Sequence, residues 1–388
     1  LARADEDSIL NFLFFGTTFT KQPRMRSGDI AKLDGEPGAV EVVRRRLDDL
    51  VAGIALPGGN ERLSFARKMV ERKDINPTSA AGRDQTRFYL GQIMTRALGE
   101  SKHYDTVMES LRQSDALAKF AANSTLFHDR GLSPDTSIFV NFGTEQALEA
   151  MKSQGILGAG QVRRVAIVGP GLDFTDKQEG YDFYPPQTIQ PFAVIDSLVR
   201  LGLAMPDGVQ MVTLDLSPRI NQHLEAARQR ARTGRAYIVE LPRDTTERWN
   251  PGLVKYWERF GDRIGTATAV ARPADAGSLQ VRAIRIRPAL VSSTIPWDVN
   301  VVLQRLQSLE AGGLFDLIIA TNVLIYYDVF EQSLALANVA KMLRPGGLFL
   351  SNDLVFELAA TPMNLLDVTD VVYSDIGNGD RFIWYQRQ

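Results

Sequence analysis

Cysteine is absent from all 388 residues. That excludes disulfides, thiolate nucleophiles, zinc–cysteine sites and iron–sulfur clusters. Histidine is scarce: His103, His128 and His223 are the only three, and they are widely separated. A histidine-rich metal site or a histidine-based triad lacks the residues to form, and no metal is expected. Acids and bases are mixed, with a net charge of -2 and no basic tail or long basic block, so the electrostatic footprint of a nucleic-acid-binding protein is missing. The one basic triplet, Arg44-Arg45-Arg46, lies on the polar side of a helical pattern and reads as a solvated face. No apolar run approaches the roughly 20 residues of a membrane helix; "ILNFLFF", Ile9 to Phe15, is far too short. Neither a nucleic acid nor a membrane is an expected partner. The sequence opens at Leu1 rather than Met, which is compatible with loss of an upstream segment, an export signal included.

What is present is the composition of a globular protein, 44% hydrophobic and 23% charged, long enough for two or three domains at roughly 150 residues each. Residues 1–155 read as mostly helical. Val40, Val43, Leu47, Leu50 and Ile54 recur at helical spacing, as do Leu90, Ile93, Met94, Ala97 and Leu98. A helical bundle packed on the rest of the chain is the expectation. From 156 to 388 the rhythm changes. Short β-branched runs, "VRRVAIVG", "VQMVTLDLS", "LQVRAIRI", "FDLIIATN" and "GGLFLSND", are separated by helical patterns. That alternation predicts a parallel α/β sheet, and the closing "DVVYSD", "IGNG", "DRFIWYQR" predicts an antiparallel hairpin. Ser217-Pro218 has the form of an N-cap followed by proline at the first helical position. Asp328 with Glu331 has the form of a capping box.

Chemistry concentrates where the first strand ends. Gly169, Pro170 and Gly171 form a turn in which the two glycines, lacking Cβ atoms, let backbone N–H groups approach a ligand. The third glycine of a dinucleotide fingerprint is missing, because Phe174 occupies its place. Asp215, followed by Leu216, closes the second strand. A carboxylate there accepts both hydroxyls of a ribose; capping the next helix is the alternative.

The block Phe315 to Asp353, "FDLIIATNVLIYYDVFEQSLALANVAKMLRPGGLFLSND", carries a specific likeness. It resembles the fourth strand, helix and fifth strand of class I S-adenosylmethionine-dependent methyltransferases. "NVLIYYD" is similar to the matching segment of chemotaxis-receptor methyltransferases, and "LRPGGLF" is common in the superfamily. The resemblance covers roughly Val162 to Gln388 and implies a Rossmann-like seven-stranded sheet with a reversed final strand. It implies S-adenosylmethionine as cofactor, with Gly169, Pro170, Gly171 and Asp173 on its methionine side. It also implies Asp215 and Leu216 at the ribose, Asn322 at the floor of the methyl-transfer site, and adenine near Arg287 to Leu290. Three departures stand out: Ile167 replaces an acid common before the first glycine, Ala289 and Leu290 replace a polar adenine-edge residue, and the interval from Gly171 to Asp215 is long.

Two insertions are read, the first of which supplies the surplus in that interval. Residues 172–187 lie between the glycine turn and its helix, and 235–278 carry Trp249, Tyr256, Trp257 and Phe260, either a lid or a packed cluster. Polar candidates for the acceptor side are Asp173, Asp176, Tyr181, Asp182, Tyr184, Asn322, Tyr326 and Tyr327, of which Asn322, Tyr326 and Tyr184 are the catalytic choices. The expectation is a methyltransferase acting in line on a small-molecule acceptor, in the cytoplasm, where the cofactor is supplied; the oligomeric state is not readable. A non-catalytic protein of the same fold and a nicotinamide-dependent oxidoreductase are the alternatives, and the missing third glycine speaks against the second.

Overall fold

The computed structural model describes residues 2–25, 27–30, 33, 36–111, 137–175, 181–270, 277–306, 313–355, 361–374 and 377–388. Contacts divide the chain into two units. One comprises Leu1–Lys119, Arg130–Ser137 and Leu172–Gln187; the other comprises Phe120–Asp129, Ile138–Gly171 and Thr188–Gln388. Among the described residues, the expected boundary at 155/156 and these units differ in two places. The helix Ile138–Ser153 goes with the sheet, and segment 172–187 goes with the helices.

The helical unit contains α1 (Ala2–Phe15), α2 (Pro37–Ala55), α3 (Glu61–Glu71) and α4 (Ala80–Ser110). "ILNFLFF" is its core: Ile9, Leu10 and Phe12 to Phe15 are buried with Val43, Leu47, Leu50 and Ile54 of α2. The arginine triplet splits. Arg44 and Arg45 face solvent and pair with Glu41, as a solvated face requires. Arg46 is fully buried, which corrects the expectation. Its guanidinium donates to the carbonyls of Leu13, at 2.7 Å, Pro23, at 2.9 Å, and Gly16, and burial lowers its pKa to about 10. Segment 172–187 is held in this unit by a second buried arginine. Arg62 donates to the carbonyls of Phe174, Asp182, at 2.9 Å, and Tyr184, at 2.5 Å. The Asp182 carboxylate accepts from the Thr17 and Thr18 N–H groups at 2.7 and 3.0 Å and from both hydroxyls.

The sheet unit opens with α5 (Ile138–Ser153), then β1 (Arg164–Val168), α6 (Gln190–Arg200), β2 (Gln210–Asp215) and α7 (Pro218–Arg232). An extra region follows: β3 (Tyr237–Asp244), α8 (Pro251–Arg259), β4 (Gly265–Ala267), β5 (Leu279–Ile286) and α9 (Pro288–Ser293). The chain resumes with β6 (Ile295–Asp298), β7 (Phe315–Ala320), α10 (Val329–Met342), β8 (Leu343–Ser351) and the hairpin β9 (Met363–Val372) and β10 (Gly379–Arg387). The main sheet runs β6-β2-β1-β7-β8-β10-β9. Strands β6, β2, β1, β7 and β8 are mutually parallel, and β10 is antiparallel to both β8 and β9. This is the Rossmann-like α/β sheet with a reversed final strand that the resemblance implies. The β1, β2 and β7 residues are nearly all buried, as expected of parallel strands covered on both faces.

The second, three-stranded sheet is ordered β3-β5-β4. The aromatic cluster is packing and not a lid: Trp249, Tyr256, Trp257 and Phe260 are buried in one core with α5, α6 and the main sheet. Arg243 stacks over Trp249 and Trp257 at 5.4 and 5.7 Å. Glu145 of α5, fully buried, anchors this layer through Ser197 at 2.8 Å and the guanidinium of Arg259. The capping box is present, with Asp328 and Glu331 exchanging bonds of 2.8 and 3.0 Å. Among the described residues no helix is long and apolar enough to cross a membrane.

Candidate functional site

The order of the main sheet reverses at β1. The chain builds outward through β2 to β6 on one side, then returns to β7 on the other. In open α/β sheets the ligand crevice lies beyond the carboxyl ends of the strands at such a switch point. The residues that follow those ends are Gly169 to Gly171 after β1, Leu216 after β2, Val299 after β6, Thr321 and Asn322 after β7, and Asn352 and Asp353 after β8.

The glycine turn presents backbone rather than side chain. Gly169 and Gly171 have φ values of 64° and 72°, the left-handed region that a Cβ disfavours. A Cβ on Gly169 would stand 2.5 Å from Val323 Cγ2, so the β1 turn and the β7 loop meet only because position 169 lacks a side chain. Two side-chain bonds fix the arrangement. Gln190, at the start of α6, donates to Thr321 Oγ1 at 2.8 Å, and Thr188 Oγ1 donates to the Gly171 carbonyl at 2.9 Å. Ile167, where an acid was missing, is completely buried and has no ligand role.

Asp215 is 9% exposed. Its Oδ1 accepts the Ser217 N–H at 2.7 Å, so half the carboxylate caps α7, while the Ser217 side chain makes no cap bond. Burial pushes the Asp215 carboxyl up to about 7; the Ser217 N–H and Arg219 oppose that, and the Asp298 charge adds to it. Asp298 is the residue opposite Asp215 in the parallel register of β2 and β6.

That register fixes which strand lies beside β2. "LQVRAIRI" is β5 of the separate sheet, and Arg287 to Leu290 follow it at the start of α9. The third parallel strand is instead Ile295–Asp298, and it ends on an acid. Four residues with an internal proline give too little periodicity to recognise, and proline is tolerated because β6 is an edge strand. The available signal was an apolar run closing on aspartate, as in β2.

On the other flank, Asn322 has φ 56°, uncommon for a residue with a side chain. A reciprocal pair holds it: Asn322 N–H donates to Asn352 Oδ1 at 2.7 Å, and Asn352 Nδ2 donates back to Asn322 Oδ1 at 2.5 Å. Asp353 accepts the Ile325 N–H at 3.1 Å, and burial pushes its carboxyl up to about 7 against that bond. Asn352 and Asp353 therefore shape the turn Leu324–Tyr326, although sequence reasoning passed over them as the tail of a strand. Tyr326 is half-buried. For Tyr327 burial, then Glu331 and Asp215, raise the phenol to about 12, so Tyr327 is the member of the pair that senses Asp215.

The sheet unit thus gathers Gly169, Pro170, Gly171, Asp215, Leu216, Asn322 and Tyr326 along one edge, with Asp298 and Tyr327 added. Asp173 and Tyr184 come together within the helical unit: Tyr184 Oη donates to Asp173 Oδ2 at 2.8 Å, and Gln187 Nε2 donates to the same oxygen at 3.0 Å. Asp182 is engaged by Thr17 and Thr18, Tyr181 lies under Arg24 at 4.7 Å, and Asp176 lies outside the described residues. His223, which fits no motif, places Nε2 2.9 Å from Tyr237 Oη. Burial first, then Arg230 and Arg219, lower its pKa to about 4, so the ring is neutral at neutral pH.

No family model and no curated protein matches the chain. Among solved structures, similarity is found to the N-methyltransferase NodS from Bradyrhizobium japonicum WM9, with 13% identity over 63% of this chain and 96% of that one and a TM-score of 0.30. It is also found to the glycopeptide N-methyltransferase MtfA, with 10% identity, 64% and 90% coverage and a TM-score of 0.32. A third is the magnesium protoporphyrin IX methyltransferase ChlM from Synechocystis PCC 6803, with 12% identity, 73% and 96% coverage and a TM-score of 0.29. At such scores the fold assignment rests on the chain's own strand order and register.

Proposed function

We propose that the chain is an S-adenosylmethionine-dependent methyltransferase that acts on a small-molecule acceptor. The observation that carries it is the sheet edge itself. A turn of two left-handed glycines, the half-committed carboxylate of Asp215 and the acid Asp298 directly beside it end three adjacent parallel strands, in a seven-stranded sheet whose last strand is reversed.

The residues fit the cofactor. Gly169 and Gly171, without Cβ atoms, offer their backbone to the methionine part, with Pro170 between them. The Asp215 carboxylate, at the end of β2, is the group for the ribose hydroxyls, with Leu216 beside it. Asp298 takes the adenine edge in place of Arg287 to Leu290. When bound, S-adenosylmethionine supplies an activated methyl group. The chain's own task is alignment and acceptance of a proton from the acceptor where it carries one. Asn322, fixed by Asn352, forms the floor, and Tyr326 is the acceptor-side hydroxyl. The likeness of "NVLIYYD" to chemotaxis-receptor enzymes brings no receptor glutamate with it. A mixed-charge surface without a basic block supports a small acceptor over a nucleic acid.

Calorimetric titration with S-adenosylhomocysteine tests the proposal. Saturable one-to-one binding is expected, and no binding to folded protein would overturn it. The alternative of a non-catalytic protein of this fold draws support from the commitment of the Asn322 carboxamide oxygen to Asn352. It predicts binding of the same ligand with no methyl transfer to any acceptor in a screen with labelled cofactor.

A further inference from the structure

Segment 172–187 separates the glycine turn from the helix that would ordinarily follow it at once, yet the two ends remain tied. Thr188 Oγ1 donates to the Gly171 carbonyl at 2.9 Å. The Thr188 N–H donates to Tyr237 Oη at 2.8 Å. Tyr237 Oη in turn lies 2.9 Å from His223 Nε2 and 3.4 Å from the Thr188 carbonyl. Thr188 is 0% and Tyr237 7% exposed. The rings of Phe192 and His223 close around Tyr237 at centroid distances of 5.2 and 5.8 Å. Tyr237 is the first residue of β3, in the extra sheet; His223 sits on α7, the helix that follows Asp215; Thr188 precedes α6.

We propose that Thr188, Tyr237 and His223 are positioning residues that brace the glycine turn, and that this brace is what the extra three-stranded sheet contributes to the site. It rests on the cofactor assignment made above. Glycine gives a turn access to left-handed backbone but little preference for it, so two such residues in series need an external restraint. In an uninterrupted strand–turn–helix the first helical turn supplies it. Here Thr188 closes the gap left by the inserted segment, and Tyr237 holds Thr188. Thr188 and Tyr237 are buried, so water does not readily replace either, and each loss leaves a donor or acceptor unpaired. His223 completes the series on the far side of the phenol, 2.9 Å from its oxygen, while that oxygen receives the Thr188 N–H.

The test uses the full chain with Thr188→Val, Thr188→Ser and Tyr237→Phe. Two readouts are taken below the melting temperature of every variant: amide hydrogen exchange of residues 169–171 without ligand, and affinity for S-adenosylhomocysteine. The valine and phenylalanine variants should exchange several-fold faster in the turn and bind about tenfold more weakly. The serine variant, which keeps the hydroxyl, should stay within about twofold of the parent. Unchanged exchange in both Thr188→Val and Tyr237→Phe overturns the brace. So does a serine variant no better than valine, since shape and not the hydrogen bond would then matter. If Tyr237→Phe does not fold, the Thr188 pair decides alone. Failure of the parent protein to bind the ligand would defeat the cofactor assignment, while the exchange comparison would still decide the brace.

Discussion

At the scale of single residues, Asp215 illustrates how one side chain holds two roles. Its Oδ1 caps α7, and the same carboxylate is the proposed partner of the ribose hydroxyls. Asp215→Ala should weaken binding of S-adenosylhomocysteine by about 1–3 kcal/mol, the scale of charge-assisted hydrogen bonds; unchanged affinity in a titration would remove it from the site. The same group sets a pH dependence. Hydroxyl donors favour the ionised carboxylate, and burial places its pKa near 7 in the free protein. Affinity should therefore rise as pH increases through about 7 and level off above it. Binding near pH 6 should release a proton, read from calorimetry in buffers of different ionisation enthalpy. Asp298 separates the two adenine positions: Asp298→Ala should lower affinity about tenfold, and Arg287→Ala should not change it. Asp215 was legible in the sequence because it closes a strong strand. Asp298 was not, because its strand is four residues long at the sheet edge and owes its place to pairing with β2.

At the scale of elements, the capping signals were local and were read from local sequence: Asp328 and Glu331 needed nothing beyond their own helix. The arginines were not local. Arg44, Arg45 and Arg46 are equivalent in composition, and only the packing of α2 against the end of α1 buries the third. Arg46→Ala should destabilise the helical unit by about 3 kcal/mol or more, because several buried carbonyls lose their donor at once. Arg44→Ala should leave the denaturation midpoint unchanged within error. The turn after β7 is tied to β8 by Asp353, whose pKa is raised to about 7. A raised acid contributes stability that is complete below its unfolded value near 3.8 and is lost as pH climbs through 7. Asp353→Asn does not titrate. Its melting temperature, measured against the parent, should therefore improve between pH 5 and pH 8; a constant gap would refute the assignment.

At the scale of the whole molecule, among the described residues one hydrophobic core underlies the helical unit and two underlie the sheet unit, and the proposed cofactor site draws its glycine turn, Asp215 and Asp298 from the sheet unit. Ligand at about 100 times its Kd should stabilise that unit by about 2.7 kcal/mol. In calorimetric scans its transition should move upward more than that of the helical unit. By itself the sequence determined the parallel sheet, the reversed hairpin, the glycine turn and Asp215, because these follow from periodicity, turn chemistry and one contiguous motif block, all of which act over short stretches of chain. Only the tertiary structure decided which β run is the third strand, which arginine is buried, and that 172–187 belongs with the helices. It also decided that Tyr237, His223 and Thr188 form one hydrogen-bonded series. These outcomes depend on pairing and desolvation between residues far apart in the chain. A strand of the same composition satisfies its backbone in either sheet, and long-range burial selects between them.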